Sequence, residues 1–281
     1  MFGSHLSIAG GMHKALTEAE RLELGTVQVF TKNQQQWKCR PLDPAVVAAW
    51  SGERTRLKFD HVVSHDSYLI NLASADDGLW NKSIDLFVEE LSRCRILGIP
   101  YLVTHPGAHL GAGEEMGLLR VAAAMNEVHD RVPGGVITCL EITAGQGSSL
   151  GYKLEHLAEI IELVAAPDRL GVCLDTAHLF AAGYDFRGRK YAKFRKTLEA
   201  TIGLDRVKVL HLNDSKKDLG SRVDRHDHIG LGKIGLDGFR GFVRDPAFKK
   251  VPKILETPKG KHGDGRDWDT VNLEALRGLM R

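Results

Sequence analysis

Gly171-Val172-Cys173-Leu174-Asp175 is a run of small and apolar residues closed by a carboxylate, and the same design recurs along the chain. A short, continuously apolar run of this kind is what a strand covered on both faces requires. Working outward, His65 follows His61–Ser64, His105 follows Tyr101–Thr104 and Glu141 follows Val136–Leu140. His211 follows Val207–Leu210 and Glu256 follows Pro252–Leu255, while Phe2–Ser4 and Thr26–Phe30 bring the strand-like runs to eight. Between them lie stretches of helical period, among them Met12–Leu24, Lys82–Leu97, Glu114–Arg131, Leu154–Val164 and Tyr191–Ile202. In Lys82–Leu97 the residues Ile84, Phe87, Val88 and Leu91 share one face, with Asp85, Glu89 and Glu90 elsewhere. Strand–helix alternation through eight strands predicts an α/β protein, a (β/α)8 TIM barrel. The strand ends of such a barrel converge on one face, where catalytic residues sit. Six successive strands ending in His, Asp or Glu therefore predict a metal site at the C-terminal ends of the strands.

A length of 281 residues suits one such barrel, and no linker, low-complexity tract or composition shift divides it, so residues 1–281 read as a single domain. Hydrophobic residues at 43% and charged residues at 26% are ordinary for a water-soluble fold. No apolar stretch is long enough for a membrane span, and Met1-Phe2-Gly3-Ser4-His5 has no basic and apolar leader. Cys39, Cys94, Cys139 and Cys173 have neither CxxC pairing nor disulfide spacing, which fits a reduced, cytoplasmic setting. A formal charge of +2 does not by itself point to nucleic acid.

Three further candidates flank the strand ends. His178 lies three residues after Asp175, and Asp224 and His226 are separated by one residue, so in an extended loop they point the same way. Five histidines and four carboxylates form the ligand mix that zinc or manganese favours. Nine side chains are too many for one or two ions, whereas three tetrahedral ions need about twelve bonds. If Glu141 bridges two of them, the positions left over fall to water, hydroxide or substrate, as a catalytic site requires. Three Zn²⁺, four carboxylates and one hydroxide leave the site positive by about one unit, suited to a phosphodiester.

The stretch Gly171–Tyr184, GVCLDTAHLFAAGY, resembles the central signature of the endonuclease IV family of apurinic/apyrimidinic endonucleases. Similar matches are FTKNQQQW (Phe30–Trp37), HDSYLIN (His65–Asn71), HPG (His105–Gly107), EITAGQG (Glu141–Gly147), HLNDS (His211–Ser215), RVDRH (Arg222–His226) and LETP (Leu255–Pro258). The resemblance runs from about Gly3 to Pro258. It implies three zinc ions, with manganese able to replace part of them: one on His65, His105 and Glu141, one on Glu141, Asp175, His211 and Glu256, and one on His178, Asp224 and His226. Glu141 and Glu256 would be catalytic. The implied partner is double-stranded DNA, cut 5′ to abasic sites to leave a 3′-hydroxyl and a 5′-deoxyribose phosphate, with blocked 3′ ends also trimmed. No membrane and no obligate protein partner is implied.

The family also implies a wedge after His65, read here as Tyr68 and Leu69, with Ile70 left to barrel packing. Lys32, Asn33, Gln35 and Trp37 are read as tracking the DNA backbone, although Gln35 stands where the family commonly has arginine. His109 contacts phosphate or caps the next helix. Asp227, beside His226, is read as a loop charge. His5, His13, His61, His129, His156 and His262 lack partner spacing and default to surface or core roles. Cys139 and Cys173, two residues before Glu141 and Asp175, are read as core. A sugar isomerase or epimerase on a related barrel would also gather Glu, Asp and His, but has no need of the third set or of a wedge. A non-catalytic damage-binding protein would be expected to have lost ligands.

Overall fold

Val63, Val103, Cys139, Cys173, Val209 and Ile254 form a buried cluster of their own, apart from the main core of 62 buried residues. Each lies two residues before one of the six strand-end residues His65, His105, Glu141, Asp175, His211 and Glu256. Alternate residues of a strand share a face. A plug that fills the barrel interior therefore fixes six polar side chains just above it.

The computed structural model describes residues 1–281. Eight parallel strands close the barrel: β1 (Phe2–His5), β2 (Thr26–Val29), β3 (Val62–His65), β4 (Tyr101–Thr104), β5 (Ile137–Glu141), β6 (Leu170–Asp175), β7 (Val207–His211) and β8 (Lys253–Leu255). Closure is made by β8, whose Ile254 is in register with Gly3 on one side and His211 on the other. His65, Glu141, Asp175 and His211 are the last residues of their strands, and His105 and Glu256 follow theirs directly.

The main core fills the space between barrel wall and helices. These are α1 (His13–Arg21), α2 (Pro44–Leu57), α3 (Asp77–Leu97), α4 (Glu114–Arg131), α5 (Leu154–Leu163), α6 (Thr176–Ala182), α7 (Tyr191–Thr201), α8 (Arg240–Arg244) and α9 (Trp268–Gly278). Helix α3 begins at Asp77 rather than Lys82, because the Asp76 side chain accepts the Leu79 amide at 2.7 Å and caps it there. Helix α2 has no apolar stripe: Trp50 is its only fully buried residue, donating Nε1–H to the Leu97 carbonyl at 2.9 Å. It starts instead on a capping Asp43 with Pro44 in the first turn. A two-residue antiparallel pair, Asp214–Ser215 with His226–Asp227, carries His226 back to the strand ends. No helix is long and apolar enough to cross a membrane.

Candidate metal centre

Glu141, from the end of β5, lies at the middle of the polar cluster. Its Oε2 is 3.2 Å from His65 Nε2 and 3.4 Å from His105 Nε2, and its Oε1 is 3.1 Å from both His211 Nδ1 and His178 Nδ1. His211 Nδ1 also lies 3.2 Å from Glu256 Oε2 and 3.9 Å from Asp175 Oδ2. Asp224 joins the two remaining histidines, with Oδ2 at 3.2 Å from His178 Nε2 and Oδ1 at 3.2 Å from His226 Nε2. All nine side chains singled out from the sequence thus meet in one cluster. It divides into overlapping groups whose donor atoms lie within 4.8 Å of one another: His65–His105–Glu141, Glu141–Asp175–His211–Glu256 and Asp175–His178–His226.

Four of the five histidines are tethered so that one nitrogen is left for the cluster. His65 Nδ1 is 2.9 Å from the Asp66 carbonyl, His178 Nδ1 2.9 Å from the Ile142 carbonyl, and His226 Nδ1 3.3 Å from the Glu256 carbonyl. His211 is held the other way round, with Nε2 2.8 Å from Gln28 Oε1. These oxygens only accept, so the tethered nitrogen donates and the other presents a lone pair to carboxylate oxygens. Lone pairs facing carboxylates at these separations repel unless a cation or a proton lies between them. His226 Nε2 states the point most plainly: it is buried and makes no hydrogen bond, although a carboxylate oxygen is 3.2 Å away. The donor set fits divalent cations held by nitrogen and oxygen.

Electrostatics agree. Burial drives the Glu141 carboxyl up, but His211 and His105 outweigh it and hold the group well below its usual range. Burial lowers the His65 pKa, yet the hydrogen bond and charge of Glu141 carry it up to about 10. The cluster thus favours positive charge among its carboxylates, whether proton or metal. The Cys173 sulfur also lies within reach of Glu141 and His211. Its thiol is fully buried, and burial followed by the Glu141 charge pushes its pKa up, so it stays protonated as part of the plug.

Three contributors escape the sequence reading. His5, expected in a surface or core role, ends β1 with Nδ1 3.2 Å from Glu256 Oε1 and its buried Nε2 unpartnered. It obeys the same strand-end rule as the others, following directly on Phe2–Ser4. Gln28 of β2 donates Nε2–H to Glu256 Oε1 at 2.6 Å. Asn213 donates to Asp175 Oδ2 and accepts the Glu256 amide, both at 2.7 Å. Amides carry no charge signature, so nothing in the sequence marks the last two.

Beside the cluster opens a cavity of about 460 Å³, lined by Tyr68, Asn71, His105, Gln146, His178 and Arg225 among others. Tyr68 is 62% exposed, its ring 5.5 Å from that of His65, and it projects into the opening. Leu69 is half-buried against the main core, and Ile70 is buried. Asn33 and Gln35 are exposed, with Asn33 Oδ1 accepting the Gln35 amide at 2.9 Å. Trp37 is half-buried beneath Lys82, whose Nζ sits 4.1 Å from the ring centroid. Lys32 requires a correction: it is 5% exposed, with Nζ donating to the carbonyls of Asn33 and Gln36, so it does not reach a ligand surface. His109 Nδ1 accepts the amides of Gly111 and Gly113 just before α4, which makes it a turn-capping residue. Asp227 Oδ1 accepts the His228 amide within the loop.

The His105-Pro-Gly motif has a steric reason. Gly107 has φ +108°, and a Cβ there would lie 2.3 Å from Asn71 Oδ1. Asn71 in turn accepts the Ala108 amide at 2.9 Å, fastening the loop after β4 to the loop after β3.

Comparison with known proteins agrees with this geometry. A family model described as xylose isomerase-like TIM barrel matches residues 16–279. A probable endonuclease 4 of Chloroflexus aggregans is 51% identical across 100% of this chain and 98% of its own length. The chain belongs to the endonuclease IV family. Another member, the probable endonuclease 4 of Geobacter sulfurreducens, is 49% identical over 99% of this chain and 94% of its own. The crystal structure of endonuclease IV from Thermus thermophilus superimposes with a TM-score of 0.87 at 37% identity, covering 99% of this chain and 98% of that one. A D-tagatose 3-epimerase-like protein shares the barrel (TM-score 0.75, 99% and 96% covered), but at 18% identity only the fold is common.

Proposed function

We propose that this endonuclease IV family member is a metal-dependent DNA-repair nuclease that hydrolyses the phosphodiester bond 5′ to abasic sites. Zinc is the proposed metal, three ions per chain, with manganese able to replace part of it. The products are a 3′-hydroxyl and a 5′-deoxyribose phosphate, and blocked 3′ ends are further substrates. The observation that carries this reading is the His178–Asp224–His226 set beside the two strand-borne groups, opening on a cavity flanked by an exposed tyrosine. A sugar epimerase has no use for either feature.

His65, His105 and Glu141 would hold one ion, Glu141, Asp175, His211 and Glu256 a second, and His178, Asp224 and His226 a third. Bound metal supplies a water of lowered pKa and positive charge for the phosphodiester and its departing oxygen. The chain's own contribution is positional. Glu256, gripped by Gln28 and His5, keeps one carboxylate oxygen fixed and turns the other toward the cluster, where it orients the nucleophile. The decisive test is single-turnover cleavage of a duplex containing one abasic analogue, with and without metal. Cleavage of the duplex at undamaged positions, or none at all, would overturn the reading.

Tyr68 carries the wedge role more fully than Leu69, given their exposures. Unstacking a base step costs a few kcal/mol. Tyr68→Ala should therefore lose cleavage of fully stacked duplex by about tenfold or more, and be spared on gapped substrates that are already unstacked. Leu69→Ala should show the same bias more weakly. Equal losses on both substrates would return the pair to packing.

Gln35 offers a gain-of-contact test. It is exposed at the tip of its loop, so Gln35→Arg should add one charge-assisted phosphate contact. Binding should tighten at low salt, and the slope of log K against log salt should steepen by about 0.9. An unchanged slope would remove this loop from the DNA interface.

A further inference from the structure

Asp66, Ser67, Tyr68 and Ile70, in the loop after β3, line the cavity; residues 30–37, the loop after β2, adjoin that loop, with the Phe30 ring 5.9 Å from that of Tyr68. Both are fastened to one stretch of α3. Lys32 Nζ donates to the carbonyls of Asn33 at 3.0 Å and Gln36 at 2.7 Å, so the first loop closes around its own ammonium. That nitrogen lies 3.7 Å from Glu90 Oε1, and the two side chains are only 2% and 1% exposed. The same Glu90 oxygen accepts the Ser67 amide of the second loop at 3.1 Å. Ser67 Oγ then donates to the Gln34 carbonyl, tying loop to loop directly. One turn further along α3, Arg93 donates to the Thr31 carbonyl at 2.6 Å and to the Arg40 carbonyl at 3.1 Å. Burial, then Asp66, pushes the Glu90 carboxyl up to about 8, while Lys32 pulls it back. The contacts survive protonation, since both donors face Oε1 and Oε2 is buried without a partner.

Enclosing an ammonium and a carboxyl is costly, and an ordinary surface turn needs neither. We propose that Lys32 and Glu90 are positioning residues that lock the two loops into one unit, so that Gln35 and Tyr68 are presented to the duplex in fixed register. The DNA part rests on the function proposed above. The lock itself does not.

Hydrogen exchange and abasic-duplex binding on the full chain test it, in Lys32→Met, Glu90→Leu and the paired variant. Each single change should speed amide exchange in both loops, although each side chain belongs to a different element. Binding should weaken by about tenfold, because the duplex must then order loops that are no longer preset. The salt slope should stay at the wild-type value. Loss of about 0.9 from the slope in Lys32→Met would make Lys32 a phosphate contact and overturn the proposal. Faster exchange confined to residues 30–37 in Lys32→Met, or to residues 66–70 in Glu90→Leu, would overturn it equally. The paired variant strands no buried charge, so it guards against simple misfolding; wild-type exchange in both of its loops would refute the lock. Exchange is measured without DNA, so a wild-type protein that ignores abasic duplex would count against the function and leave the lock to be judged on exchange alone.

Discussion

Glu256→Gln is expected to lower kcat by at least about a hundredfold while leaving affinity for abasic duplex nearly intact. The fold should tolerate the change. The new amide oxygen can still accept from Gln28, and the backbone amide at 256 stays on Asn213. The new NH₂ then faces His211 Nδ1, which lies 3.2 Å from the present Oε2. A donor aimed at that nitrogen occupies the lone pair that the cluster needs and removes one negative charge. Chemistry should suffer and substrate binding should not. Steady-state and single-turnover kinetics on one abasic duplex separate the two; a defect confined to KM would make Glu256 a substrate-positioning group.

Stripping the metal should abolish cleavage and also change how stability responds to pH. Elemental analysis of the loaded protein should find about three divalent ions per chain, zinc foremost. In the metal-free chain burial lowers the pKa values of His65, His178 and His211, but the surrounding carboxylates more than reverse this, and the value for His65 reaches about 10. A raised pKa means that the folded state holds its proton more tightly than the unfolded chain. The resulting stability is complete below the unfolded value of about 6.5 and is lost as pH climbs through the folded one. Loaded protein has already exchanged those protons for metal. Its Tm should therefore exceed that of stripped protein by a margin that grows from about pH 6 to about pH 9. A constant margin, or full activity in verified metal-free protein, would contradict the assignment of these histidines.

The strand ends are readable because two periodicities coincide. An apolar run followed by His, Asp or Glu specifies both a covered strand and an inward-facing end group, as in Val103-Thr104-His105 and Val209-Leu210-His211. The fold, the plug and the six strand-end members of the cluster all follow from that repeat, while His178, Asp224 and His226 are marked by their spacing around it. Legibility fails where position depends on contacts far apart in sequence. Lys32 looks like an exposed base in a polar loop, and only Glu90, 58 residues on, explains its burial. His5 stands at a strand end like the others, but the run before it is only three residues long, and its partners, Gln28 and Glu256, come from β2 and from just beyond β8. Helix α2 escapes because its signal lies in a cap and a proline rather than in a stripe.

The cluster has two kinds of foundation. Six of its side chains grow from strand ends above the apolar plug, so none can shift without disturbing the barrel wall. His178, Asp224 and His226 sit instead on a short helix and on an excursion between the last two barrel strands, and the Asp224 side chain is 44% exposed. Heritable change therefore meets very different resistance in the two layers. Insertions, deletions and substitutions in the excursion can revise the outer set while the inner one stays in place. The barrel itself is common ground with a D-tagatose 3-epimerase-like protein, so the architecture alone does not choose the reaction.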